Sequence, residues 1–291
     1  MTRNPATGVA LGSLGGFALS FDIPMIRLSG ADTWTTLAVR GGAIALAMFA
    51  VWLFTRRRNA ANPFADRDWL AVGTAWGVAN ILFTFAVFRT STANLVFILA
   101  FNPMLAAMMS WAIIGERPAA ATFAAIAATT LGVGVIVRGG LGGGSGAGDL
   151  LALGCAAAIA FSLVWSHRSG KDMSLAPGLG SLISAAVALP LAGGVLAMPQ
   201  EPAWLLANGF LVIPFASWCL ALAPRFIAAE QVAMFYLLET VLAPVWVWLV
   251  FAETPPAATL AGGAIVLGAI ALHSVWSLRA AAPALRDGGG T

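Results

Sequence analysis

The sequence predicts an all-α integral membrane protein of ten transmembrane helices, built as two inverted five-helix repeats. Three observations predict it. Of the 291 residues, 60% are hydrophobic and only 9% are charged, where a soluble domain carries about 25% charged residues. Ten apolar runs are each long enough to cross a bilayer core, which takes roughly 20 helical residues at about 1.5 Å of rise per residue. One short motif recurs near the end of each half of the chain.

The composition sets the solvent. With so little charge and a mean hydropathy of +0.89, most of the chain has lipid rather than water around it. The net charge of +3 and the pI near 9.5 do not indicate nucleic acid, because the basic residues sit at helix ends and not on one patch. Cys155 and Cys219 fall inside apolar spans and read as small buried hydrophobes. Neither disulfide nor metal spacing is present, and no cofactor is expected. Arg3 precedes an apolar run too long for a signal-peptide core, so that run reads as the first helix.

In chain order the expected spans are 8–26, 34–54, 69–88, 92–114, 119–137, 149–166, 179–198, 204–223, 228–251 and 259–277. Arg56, Arg57 and Arg58 stop the second. Gly115-Glu116-Arg117-Pro118 separates the fourth from the fifth, and Glu253-Thr254-Pro255-Pro256 the ninth from the tenth. Proline there halts one helix and can begin the next. With the N-terminus inside, eleven Lys or Arg fall on the inner side. Only Arg27, Arg89 and Arg138 fall outside, and Arg40 lies within a span. That bias predicts an even number of crossings with both termini cytoplasmic.

The motif Glu116-Arg117-Pro118-Ala119-Ala120-Ala121-Thr122-Phe123 returns as Glu253-Thr254-Pro255-Pro256-Ala257-Ala258-Thr259-Leu260. The offset is 137 residues (253 − 116). A weaker echo pairs Ala10-Leu11-Gly12 with Ala152-Leu153-Gly154. Between the halves, Gly139 to Gly146 reads GGLGGGSG, a flexible-linker composition. The chain therefore divides into residues 1–144 and 145–291, with five spans each. An odd number of crossings inserts the second copy upside down, the inverted-repeat plan of secondary transporters.

The two Glu-x-Pro turns, each after a fourth helix and before an Ala/Gly-rich fifth, resemble the EamA repeat of the drug/metabolite transporter superfamily. The resemblance covers nearly the whole chain. With its many tryptophans the pattern looks most like the aromatic amino-acid exporter branch. The resemblance implies export from the cytoplasm across the inner membrane of a Gram-negative bacterium, through a cavity between the halves. It also implies that the Gly-rich fifth and tenth helices pack the halves together or form a homodimer; the protein would work as a monomer or a dimer.

The same offset aligns Asn102 in the fourth helix with Glu239 in the ninth, both near mid-span. A carboxylate at that depth usually faces the bundle interior or a wet pathway. Pro103 and Pro244 each remove an N–H and free a carbonyl one turn earlier, at Leu99 and Thr240. Trp76, Asn80 and Phe83 form one stripe on the third helix. Phe101 precedes Asn102, Ser162 precedes Trp165 on the sixth, the eighth offers Trp218, and Tyr236 lies one turn before Glu239. Such aromatic walls with few polar groups suit a largely apolar solute with a polar end. An amino acid fits, its ammonium at Glu239 or the freed carbonyls and its side chain on the aromatic faces. Each residue also has a structural role open to it: an interior Asn as helix-to-helix glue, Glu239 as a buried, hydrogen-bonded acid. Trp34, Trp52, Trp69, Trp111, Trp204 and Trp276, near span ends, read as interfacial anchors.

Asp22 and Arg40 sit at matching depths near the outer ends of the first two helices and are expected to pair, as a structural tie or an outer gate. Arg225 and Glu230 read as interfacial. Glu116 and Glu253 read as turn residues that accept hydrogen bonds from the following helix. The leading function is thus export of amino acids, aromatic or otherwise largely apolar, by alternating access. The alternative is export or facilitation of other small metabolites or drugs. An intramembrane enzyme would need a nucleophile–base or zinc constellation, which the sequence does not offer.

Overall fold

The computed structural model describes residues 5–55, 66–115, 117–118, 120–143, 145–169, 171, 173, 175–192, 196, 199–222 and 229–287. Arg3, Arg56 to Arg58, Glu116, Gly144 and Arg225, used above as end and linker signals, lie outside the described residues, as does the Glu230 side chain. Every regular element among the described residues is helical. In order they are α1 (Pro5–Leu19), α2 (Asp22–Leu28), α3 (Thr33–Thr35) running into a π-helical turn Thr36–Arg40, α4 (Gly41–Thr55), α5 (Arg67–Val87), α6 (Thr92–Leu99) and α7 (Asn102–Ile114). Then come α8 (Ala120–Gly143), α9 (Gly146–Ser169), α10 (Ala176–Leu191), α11 (Pro202–Ala207) with a second π turn Asn208–Val212, α12 (Ile213–Leu222), α13 (Ala229–Phe251) and α14 (Ala257–Asp287).

Among the described residues, seven helical stretches are long and apolar enough to cross a membrane: Ala6–Leu28, Thr33–Phe54, Arg67–Val87, Thr92–Ile114, Ala120–Gly139, Gly146–Ser166 and Pro202–Leu220. Three shorter apolar stretches are Ala176–Leu191, Leu238–Phe251 and Ala257–His273. With no water in the lipid core, helices are the way such runs satisfy their own backbone groups.

Local chemistry sets the ends. Asp66 accepts from the Asp68 N–H at 2.9 Å and caps α5; Ser91 accepts from the Asn94 N–H at 3.1 Å and caps α6. Gly115 closes α7 at φ +85°, and its N–H reaches the Ser110 and Trp111 carbonyls at 3.2 and 3.1 Å. Glycine takes that left-handed conformation without a steric cost.

Two sequence expectations are corrected here. The glycine stretch read as a flexible linker is mostly helix, since α8 runs to Gly143 and α9 starts at Gly146. A helical backbone meets its own hydrogen bonds at a membrane boundary, which outweighs the roughly 1 kcal/mol of helix propensity lost per glycine. The two prolines also act differently. Pro103 sits at the start of α7, after a turn at Ala100 and Phe101 that splits the fourth span. Pro244 stays inside an unbroken α13.

Packing joins the first half of the chain to the second almost everywhere. α5 lies against α9 and α10, α8 against α14, α4 against α10, α1 against α12 and α13, and α6 against α13 and α9. The largest apolar core includes Ile26, Val87, Leu95, Ile98, Ile136, Ala152, Cys155 and Val266. At the α5–α10 crossing, a Cβ built on Gly180 would come within 2.6 Å of the Gly77 nitrogen and of Trp76 Cβ. Backbones approach that closely only where a side chain is missing. Gly180→Ala is expected to cost about 1–3 kcal/mol through overpacking, seen as a lowered Tm in detergent. An unchanged Tm would show that the crossing yields freely.

Candidate functional site

The polar centre of the molecule is built on α2, the first π turn, α5, α10 and the second π turn. A break at Ser20 and Phe21 separates α1 from α2 and puts Asp22 in the first turn of α2. The π turn Thr36–Arg40 inserts extra backbone and presents Arg40; a second π turn presents Asn208. Such π segments often mark functional positions.

Arg40 and Asp22 form a two-pronged ion pair, with Nη2 at 2.9 and 2.8 Å from the two carboxylate oxygens. They are only 4% and 5% exposed. Every nitrogen of the guanidinium is engaged: Nε donates to Asn208 Oδ1 at 2.8 Å and Nη1 to Asn80 Oδ1 at 2.9 Å. Asn208 Nδ2 donates back to Asp22 Oδ1 at 2.8 Å. Asn80 Nδ2 donates to Ser184 Oγ at 3.0 Å. The Arg40 guanidinium also lies 5.7 Å from the centre of the Phe83 ring. A charge pair this deep is tolerable because its hydrogen-bonding capacity is met. Asn80 is 13 residues into α5, so the network sits about 20 Å from that helix's start and about 10 Å from its end.

Glu239 lies midway along α13, partly exposed, and close enough to Asp22, Arg40, Tyr236 and Cys155 to feel their charge or bear on it. Among the described residues its carboxylate makes no ion pair. Tyr236, on the same helix, is 49% exposed. Trp246 of α13 donates to Ser20 Oγ at 3.0 Å and stacks on Phe21 at 5.3 Å, which pins this helix to the α1–α2 break.

The remaining sequence candidates fall elsewhere. Asn102 Nδ2 donates to the Ala156 carbonyl at 2.8 Å, a tie from α7 to α9, and Phe101 is buried in the main core. Ser162 is buried and turns its hydroxyl back to the Ala158 carbonyl at 2.9 Å. Trp76 and Trp165 join an apolar cluster with Val72, Met173 and Ala176 at the start of α5. Trp218 is 55% exposed and lines an apolar groove of about 660 Å³ with Phe17, Phe21, Phe210 and Phe215. So the structure brings Asp22, Arg40, Asn80 and Phe83 together, with Glu239 and Tyr236 nearby, and sets the other six apart. Sequence reasoning passed over Asn208 and Ser184, because small polar residues in apolar helices read as ordinary glue.

Two polar clusters mark the ends of the bundle. At one end Arg27 pairs with Glu253, whose other oxygen accepts from the Thr92 N–H at 3.3 Å. Arg27 also donates to the Thr90 carbonyl at 3.2 Å. Beside it buried Asp149 accepts from Thr90 and from Asn94 Nδ2, and Thr259 donates to Asn94. Glu253, read above as a turn residue, is thus also an ion-pair partner. At the other end Lys171 Nζ reaches Asp66 at 2.7 Å and Asp68 at 2.8 Å, and Trp165 Nε1 donates to Asp68 at 3.1 Å. The hydrogen bond and charge of Lys171 hold the Asp66 carboxyl below its ordinary range, and Asp66 in turn raises Lys171 above 10.5. Both shifts favour the charged forms. The tie therefore weakens as pH falls through the lowered Asp66 value or rises through the raised Lys171 value.

Comparison with known proteins adds the following. The model of the EamA-like transporter family matches residues 6–138, so the first half of the chain is similar to that family. No curated protein matches the chain. One solved crystal structure superposes with a TM-score of 0.62 at 18% identity, covering 94% of this chain and 98% of that one, and so shares its fold. With its apolar helices, the chain is a multi-pass membrane protein.

Proposed function

We propose that the chain is a secondary transporter of EamA type that exports small organic solutes, foremost amino acids with aromatic or otherwise apolar side chains, by alternating access through a central chamber. Its two halves, 1–144 and 145–291, act as inverted five-helix repeats in the bacterial inner membrane, with both termini in the cytoplasm. One observation carries this most directly: an acid with no ion-pair partner among the described residues, Glu239, stands mid-membrane beside the saturated Asp22–Arg40 pair. Intramembrane acids cost enough to be kept mainly for function. An ammonium group would give Glu239 a partner, and the Thr240 carbonyl, which has no N–H to accept at Pro244, offers a second acceptor.

The helix pairings support the repeat. The first span packs on the eighth and ninth (α1 on α12 and α13), and the sixth packs on the third and fourth (α9 on α5, α6 and α7). In an inverted repeat a two-fold axis in the membrane plane would relate those contacts to each other. The test is counterflow into proteoliposomes with labelled phenylalanine, tryptophan and leucine, with and without a pH gradient. Accumulation driven by unlabelled amino acid on the far side is expected. If amino acids fail but amines or other metabolites exchange, the alternative substrate class takes over. If nothing in the panel exchanges, transport itself is the wrong reading.

A further inference from the structure

At both ends of the bundle ion pairs and hydrogen bonds join the first half of the chain to the second, but they differ in kind. At the Arg27 end the Arg27 and Glu253 side chains are 19% and 28% exposed, but Thr90, Asn94, Asp149 and Thr259 beside them are all under 8% exposed. Breaking those bonds would strand buried donors and acceptors, which is costly without water to replace them. At the Lys171 end the partners are open to solvent, with the lysine side chain 46% exposed and the aspartates 28% and 35%. Water and salt can replace such contacts at little cost. Directly behind them lie Val72 and Trp76 of the first half against Trp165, Met173 and Ala176 of the second. That contact is apolar and closed by no further ion pair among the described residues.

We propose that Lys171, Asp66, Asp68 and Trp165 form a latch, and that the two halves part first at this end while the Arg27 end stays shut. Its purpose rests on the transport reading above; its geometry does not. Trp165 serves twice in it, donating to Asp68 from one edge while the Arg168 guanidinium lies 5.0 Å from its ring centre. Opening would break one lysine–carboxylate cluster and one indole hydrogen bond and would wet the Val72–Ala176 contact.

The test places a reporter thiol behind the latch, Val72→Cys, in a Cys155→Ala, Cys219→Ala background. A charged, membrane-impermeant thiosulfonate reagent is then applied to vesicles of each orientation, without substrate. Lys171→Ala is expected to raise the labelling rate about fivefold, from the Lys171 side only. Raising the salt to about 0.5 M should give part of the same rise in the protein with its latch and none in Lys171→Ala. Lys171→Arg, which keeps the cation and leaves the Asp66 cap and the Asp68–Trp165 hydrogen bond in place, should hold the rate within about twofold of the parent. Ala176→Cys serves as a second reporter should Val72→Cys not fold. A reporter behind the other end, Ile26→Cys, should stay slow throughout. An unchanged rate in Lys171→Ala, or an equal rise at Ile26→Cys, overturns the latch. Because labelling is read without substrate, a normal labelling response with no counterflow would instead count against transport.

Discussion

Arg40→Met is expected to remove about 3–5 kcal/mol of stability, because it leaves the Asp22 carboxylate buried and uncompensated. Asn80 and Asn208 would each lose a charge-assisted donor at the same time. In detergent this should appear as a fall in Tm on the order of 10 °C, with less folded protein recovered. The double variant Asp22→Leu, Arg40→Met removes both charges and should regain much of that loss, since an apolar pair can replace a buried ion pair at little net cost. If Arg40→Met unfolds at the wild-type temperature, the network is wet or dispensable, and its place at the heart of the fold is wrong.

Glu239→Gln is expected to behave in the opposite way, with folding retained and transport lost. The carboxylate makes no ion pair among the described residues, so removing its charge strands no cation. A charged hydrogen bond to a substrate ammonium is worth about 1.5–3 kcal/mol, or about ten- to a hundredfold in affinity. Counterflow of labelled phenylalanine should fall by that factor while Tm stays within about 2 °C of wild type. Wild-type counterflow would remove Glu239 from the substrate path. A large drop in Tm would make it a structural acid. The contrast with Arg40 would separate a residue that holds the helices together from one proposed to meet the substrate.

The latch and the network also show which positions were readable in advance. Asp22 and Arg40 were expected to pair from depth alone, and they do. Asn80 was placed on the right helix, yet its partners Arg40 and Ser184 come from two other helices. Asn208 gave no local signal; its role comes from a π turn that rotates it toward Asp22. Trp76 and Trp165 were read as chamber walls, but they pack together behind the Lys171 ion pairs. Residue type and depth say that an aromatic lies inside a bundle; they do not say which of its faces it lies on.

What the sequence determined by itself is what depends on the contrast between lipid and water: the helical class, the apolar character of the spans and the cost of a carboxylate at mid-membrane. Those follow from single-residue transfer energies and backbone hydrogen bonding, which act locally along the chain. The tertiary structure decided which polar groups meet, that Arg40 pairs with Asp22, and how deeply the polar groups at each end of the bundle are buried. Those facts depend on how helices distant in sequence rotate and cross. Hydropathy is blind to such rotation, because a small turn about a helix axis changes every partner without changing the span.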